Sequence, residues 1–247
     1  MSLRRSCTTL VIISASFAFA GACGRSEPPV EPEAAAVDHG AHMTEHFDKA
    51  REMEAALVRG DLEGAKELGR WIAEHETAAG LPAGLESHVD EMKKAAGAVA
   101  SATTTEAAAI AAARSLAACG TCHAAGQVHA APTPPTPPQA GEGRDIHMLE
   151  HQHAVDLLLQ GLVGPSDDLW MRGADAMKTA PLTDKDLPEV SPEVAKFGAR
   201  VHELAQRAAD ATTTEARVAI YGELVGKCAS CHGEYGRVVG PGAPKTE

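Results

Sequence analysis

The chain repeats itself. His42-Met43-Thr44-Glu45-His46 returns as His147-Met148-Leu149-Glu150-His151, and the run Ala-Thr-Thr-Thr-Glu at residues 102–106 returns at 211–215. Each second run is followed, at the same distance, by a Cys-x-x-Cys-His set: Cys119-Gly120-Thr121-Cys122-His123 and Cys228-Ala229-Ser230-Cys231-His232. Such self-similarity predicts two copies of one unit. The 247 residues suffice for two domains of about 100 residues each.

Each copy reads as helical. Ala, Glu, Leu and Lys dominate, and the alternation that marks half-buried strands is scarce. Helices are expected near 40–59, 61–78, 84–100 and 104–122, then near 146–163, 167–178, 191–209 and 213–231. Thr103-x-x-Glu106 and Thr212-x-x-Glu215 have the form of capping boxes opening the last helix of each half. Four amphipathic helices with short connections suggest an up-and-down bundle. The expected fold is therefore all-α, as two tandem four-helix bundles over residues 39–123 and 144–238. A Pro-rich linker, 124–143, joins them; a Pro- and Glu-rich tether, 23–38, precedes them; a polar tail, 239–247, follows.

The Cys-x-x-Cys-His sets carry the chemistry. On a helix, cysteines at i and i+3 share a face about one turn apart, and a histidine at i+4 shares it too. Two thiols so placed can reach the two vinyl groups of one porphyrin while the histidine reaches its iron. Cys119, Cys122, Cys228 and Cys231 are thus expected to hold two covalent haem c groups, with His123 and His232 as proximal iron ligands. A zinc site would need both pairs to converge across 109 residues and a Pro-rich segment. A redox dithiol needs a βαβ setting that this sequence lacks. After residue 22 the aromatics number only Phe47, Trp71, Trp170, Phe197, Tyr221 and Tyr235, so an Ala-rich core should be thin and a haem in each half would fill it.

Residues 1–22 read as a secretory signal, with Arg4 and Arg5 before an apolar run, Leu10–Ala20, that is too short to span a bilayer. Ala20-Gly21-Ala22-Cys23 resembles the lipobox of bacterial lipoproteins, with Ala20 where Leu is usual. The resemblance implies a lipid anchor on Cys23. In that family Gly24, rather than Asp, implies sorting to the outer membrane. The expected location is therefore the periplasm, lipid-anchored, at the outer membrane rather than the inner. A plain signal-peptidase cut remains the alternative. Cys7 leaves with the signal, so no cysteine is left for a disulfide framework.

A helical unit of this size ending in Cys-x-x-Cys-His resembles the cytochrome c′ and low-spin cytochrome c-556 group. Lys227 to Arg237, in which an acid, an aromatic and a base follow the motif, is similar to that group's C-terminal pattern. Leu57-Val58-Arg59-Gly60 resembles its apolar-basic-Gly turn after the first helix. The first half lacks the aromatic and base after His123. The resemblance implies that the first helix faces the sixth iron position, with a methionine there in low-spin members and an apolar, non-ligating residue in c′ members. Here Met43, His46, Ala50, Met53 and Leu57 form one expected inward stripe, repeated by Met148, His151, Val155, Leu158 and Leu162. Counting back from Gly60 places the family's ligand near Thr44, between the two choices. His46 and His151 are the candidate sixth ligands, and Met43 and Met148 the alternatives. An open iron is the third option. His42 and His147 are expected beside the iron's ligand or in solvent, and His75 at an ordinary polar position.

The function expected is single-electron transfer without catalysis; nothing like a peroxidase's distal Arg–His pair is present. A net charge of −12 argues against nucleic acid and suggests a redox partner protein with a basic docking patch. The alternative is binding or sensing of a small gas, nitric oxide or carbon monoxide, at an open iron. The two halves could pack as a covalent pseudo-dimer or stand apart as beads.

Overall fold

The computed structural model describes residues 38–128, 133–139, 141, 143–180 and 192–235. The expected signal 1–22, the lipidation site Cys23, the tether up to residue 37, parts of the linker and the tail 239–247 lie outside the described residues.

The described residues form eight helices and no strand: α1 (His39–Val58), α2 (Leu62–Glu74), α3 (Glu86–Ala100), α4 (Thr105–Ala125), α5 (Arg144–Val163), α6 (Asp167–Thr179), α7 (Pro192–Ala209) and α8 (Thr214–Tyr235). None is long and apolar enough to cross a membrane. Local chemistry starts and stops them. Asp38, Asp61, Thr104 and Ser166 each accept a hydrogen bond from a backbone N–H of the first turn, satisfying a donor that the helix cannot. α1 is followed, just past its cap Arg59, by Gly60, whose φ of 77° suits a residue without Cβ.

Two expectations about helix ends are corrected. The caps of α4 and α8 fall one residue later than the capping boxes place them. Thr104 Oγ1 accepts from Ala107 N at 3.1 Å, and Thr213 Oγ1 from Ala216 N at 3.2 Å. A run of three threonines offers three hydroxyls, and packing selects the middle one. Glu106 is thereby released from capping and instead accepts from Ser230 Oγ, 3.0 Å away on α8. Thr104→Ala is expected to cost about 1 kcal/mol of stability and Thr103→Ala far less, as urea unfolding would show; equal losses would restore the capping box. α2 also stops at Glu74 rather than near residue 78, because His75 turns extended with ψ of 141°. That exit aims the His75 ring back toward α1.

The described residues, all within Val37–Glu247, belong to one compact unit. Successive helices pack on one another within each half, yet α4 and α8 pack together as extensively as sequence neighbours do. They run antiparallel, since Glu106 near the start of α4 meets Ser230 near the end of α8. Close approach depends on small residues: a Cβ on Gly222 would lie 2.9 Å from Ile110 Cα. The buried alanines of α4, among them Ala109, Ala112 and Ala113, let helices approach it on several sides. The alanine-rich composition thus yields no thin core. One continuous apolar cluster runs through both halves, with Trp170, Tyr221, Met53 and Leu57 among its largest fully buried side chains.

The first and last helices of each half also pack across the two halves. α1 makes more contact with α8 than with α4, and α5 makes more with α4 than with α8. Arg51 on α1 reaches Asp156 on α5 at 3.5 Å. Since His42 aligns with His147, Arg51 aligns with Asp156, so this ion pair joins equivalent positions of the two copies.

Candidate functional site

The helical spacing of Cys-x-x-Cys-His is realised in both halves, because α4 and α8 continue beyond His123 and His232. All four cysteines are free and half-buried. Burial, then the neighbouring thiol, pushes Cys119 and Cys228 up to about 12. A thiol held in its neutral form is a poor nucleophile, opposite to what a redox dithiol needs.

Each motif histidine is anchored in the other half. His123 Nδ1 lies 2.8 Å from the carbonyl oxygen of Val163, and His232 Nδ1 lies 2.6 Å from that of Val58. Val163 ends α5 and Val58 ends α1, where the last carbonyls have no intrahelical donor. A carbonyl only accepts, so each ring donates from Nδ1–H, and in the neutral ring the lone pair is then on Nε2. That is the tautomer of a metal-ligating imidazole with an outer hydrogen bond that raises its basicity. Burial lowers the pKa of His232, and the bond to Val58 opposes the shift. Neither anchor was foreseen: the equivalence of Val58 and Val163 is visible in the repeat, but not which histidine each would meet.

At the second motif the structure brings the expected residues together. Cys228, Cys231 and His232 of α8 line a small cavity with Met148 and His151 of α5. Phe197 and Val201 of α7 and Val58 of α1 close it with apolar surface. The His147 and His151 rings both place Nε2 against the carbonyl oxygen of Ala180, at 2.8 and 2.7 Å.

The first half is arranged differently. Met43 is 42% exposed, so the expected inward stripe on α1 begins only after it. Met43 sits near the start of α1, beyond the reach of the core that covers Ala50, Met53 and Leu57. The rings around His46 are His42, His75 and Trp71, at centroid distances of 4.6, 5.0 and 5.4 Å. His75 therefore belongs to a cluster rather than to an ordinary polar position, and His42 joins it. Burial, then repulsion from His42 and His75, lowers His46 to about 4.

A buried polar group between the halves also escaped the sequence reading. Glu54 on α1 is 3% exposed, and among the described residues its Oε1 has no hydrogen-bond partner. Tyr221 Oη on α8 is likewise buried without one. Burial, then the Asp156 charge, pushes the Glu54 carboxyl up to about 8. The signal was there: Glu54 sits four residues after Ala50 and three before Leu57, on the apolar stripe itself.

No protein-family model matches this chain, and the searches of curated proteins and of solved structures likewise find no match.

Proposed function

We propose that the chain is a di-haem c-type cytochrome carrying single electrons. The observation that supports this most is the paired anchoring of His123 and His232, each with Nδ1 held by a helix-end carbonyl and Nε2 left to ligate. A haem so held supplies a one-electron Fe(III)/Fe(II) couple. The chain's part is to attach the porphyrin through Cys119 and Cys122 or Cys228 and Cys231, orient the proximal rings, and exclude water with apolar side chains such as Phe197 and Val201. The cavity beside Cys228 encloses about 40 Å³, far below the size of a cofactor site. Seating a porphyrin there therefore requires α5 and α7 to part.

The motifs lie at opposite ends of the antiparallel α4–α8 pair. Ser230 adjoins Glu106, and Cys119 lies thirteen residues further along α4, so the attachment points are about 20 Å apart at 1.5 Å per residue. Donor and acceptor could then dock at different ends. The net charge of −12 favours a partner with a basic patch. A lipid on Cys23 would hold the chain at a periplasmic membrane surface, at the outer membrane by the reading of Gly24. No enzymatic step is part of this reading.

One observation favours a second reading, in which an open iron binds nitric oxide or carbon monoxide. Met43 is exposed, His46 turns to other imidazoles, and His151 Nε2 is engaged by Ala180. That leaves Met148 as the sixth-ligand candidate with no such competing engagement.

Pyridine haemochrome assay and intact mass of protein expressed with export and haem-attachment machinery are expected to give two haems per chain. The Cys119→Ala/Cys122→Ala and Cys228→Ala/Cys231→Ala variants should each retain one. A wild type without haem would overturn both readings. Reduced visible bands unmoved by carbon monoxide would support electron transfer, and a shift would favour gas binding.

A further inference from the structure

Outside the two motifs, the described residues bring three imidazoles to one place. His42 and His46 are one turn apart on the same face of α1. His75, where α2 ends, brings the third ring. Each offers a ring nitrogen, and these atoms all lie within 4.8 Å of one another. Trp71 stacks on His75, with centroids 4.1 Å apart and planes 25° apart, and meets His46 edge-on. The Glu45 carboxylate is 3.8 Å from His75 Nε2.

His46 Nε2 is buried and has no hydrogen-bond partner among the described residues. A buried ring nitrogen left without a partner calls for an explanation, and a metal ion is the one the surrounding imidazoles offer. The repeat supplies the contrast. In the second half His147 and His151 occupy the equivalent positions, but the residue after α6 is Ala180, whose carbonyl oxygen meets both rings. A third histidine replaces that carbonyl in the first half alone.

We propose that His42, His46 and His75 bind one divalent transition-metal ion of the zinc type, at a site separate from the Cys-x-x-Cys-His motifs. Imidazole suits zinc and its neighbours in the first transition row. Three histidines in a tetrahedron at about 2.1 Å leave a fourth position for water. Ligand nitrogens of such an ion lie about 3.4 Å apart, so the present spacing, within 4.8 Å, has to close by no more than about 1.4 Å through ring rotation. The acidic Glu45 beside His75 adds favourable charge. The site does not depend on haem except at His46, which cannot serve both metals.

The test uses the purified, full-length protein with whatever haem it carries, stripped with a chelator and dialysed against micromolar zinc chloride. The expected result is one zinc per chain by elemental analysis, with the visible spectrum unchanged. Loss of a partner outside the ligand set already costs 10–100-fold in affinity. His75→Ala removes a ligand, so it should weaken binding by more than about 100-fold. His147→Ala, in the other half, should leave it intact. Absence of zinc from the wild type, or equal binding by both variants, would overturn the site. A haem spectrum that shifts as zinc is added would show His46 to be an iron ligand and would overturn it as a separate centre. A protein that lacks haem would sink the cytochrome reading while leaving this titration interpretable.

Discussion

Glu54→Gln is expected to flatten the pH dependence of stability between about pH 4.5 and 8. The Glu54 carboxyl is pushed up from 4.5 to about 8, first by burial and then by Asp156. The folded chain therefore holds a proton that the unfolded chain releases above pH 4.5. Through that window folding takes up a proton, so wild-type stability falls as pH rises and levels off above about 8. By linkage, a shift of this size is worth on the order of 3–5 kcal/mol. Gln keeps the shape and cannot ionise. The variant should match the wild type near pH 5 and exceed it near pH 8, measured by urea unfolding at both values. Asp156, raised chiefly by burial and held down by Arg51 and Gln152, acts in the same sense and should leave a residual slope. Parallel pH profiles for the two proteins would show that Glu54 is ionised and solvated in the fold.

Gly120→Ala is expected to be among the most damaging single-methyl changes in the chain. A Cβ at Gly120 would land on the carbonyl oxygen of Leu162, one residue before the Val163 carbonyl that holds His123. Backbone cannot rotate away as a side chain can, so α4 and α5 would have to separate. Overpacking of this kind costs about 1–3 kcal/mol and occasionally more, and here the loss should reach the upper end. It should also be local in effect, lowering haem occupancy of the first motif relative to the second in the proposed cytochrome. Gly97→Ala is the control. A Cβ at Gly97, inside α3, meets nothing within 4 Å, so alanine should be neutral or stabilising by up to about 1 kcal/mol. Similar unfolding midpoints for the two variants would mean that the α4–α5 crossing tolerates displacement.

Much of the fold was legible because its signals are short-range. Apolar residues at three- and four-residue steps and Gly60 after α1 mark helix ends within four residues of where they lie. The late caps at Thr104 and Thr213 and the early exit at His75 were missed because adjacent choices of similar local energy are decided by packing. Of the residues lining the cavity at the second motif, Cys228, Cys231 and His232 follow from their spacing on α8, and Met148 and His151 from the repeated stripe on α5 together with what the family resemblance implies. In the first half the same spacing misled. Met43 lies near the start of α1, where the core does not cover it, and His75, with no counterpart in the other copy, carries no repeat signal.

Local pattern in the amino-acid order accounts for the helices of the described residues and for a helix late in each half that presents two cysteines and a histidine on one face. Those properties depend on residues within four positions of one another. Long-range packing is what places His123 against Val163 and His232 against Val58, buries Glu54 near Asp156, and brings His75 to His42 and His46. Two near-identical units can satisfy the same helix faces within a half or across halves, so local pattern does not distinguish the pairings. The choice falls to the places where backbones can approach most closely, at Gly120 against Leu162 and Gly222 against Ile110. Those contacts exist only once helices distant in sequence have met.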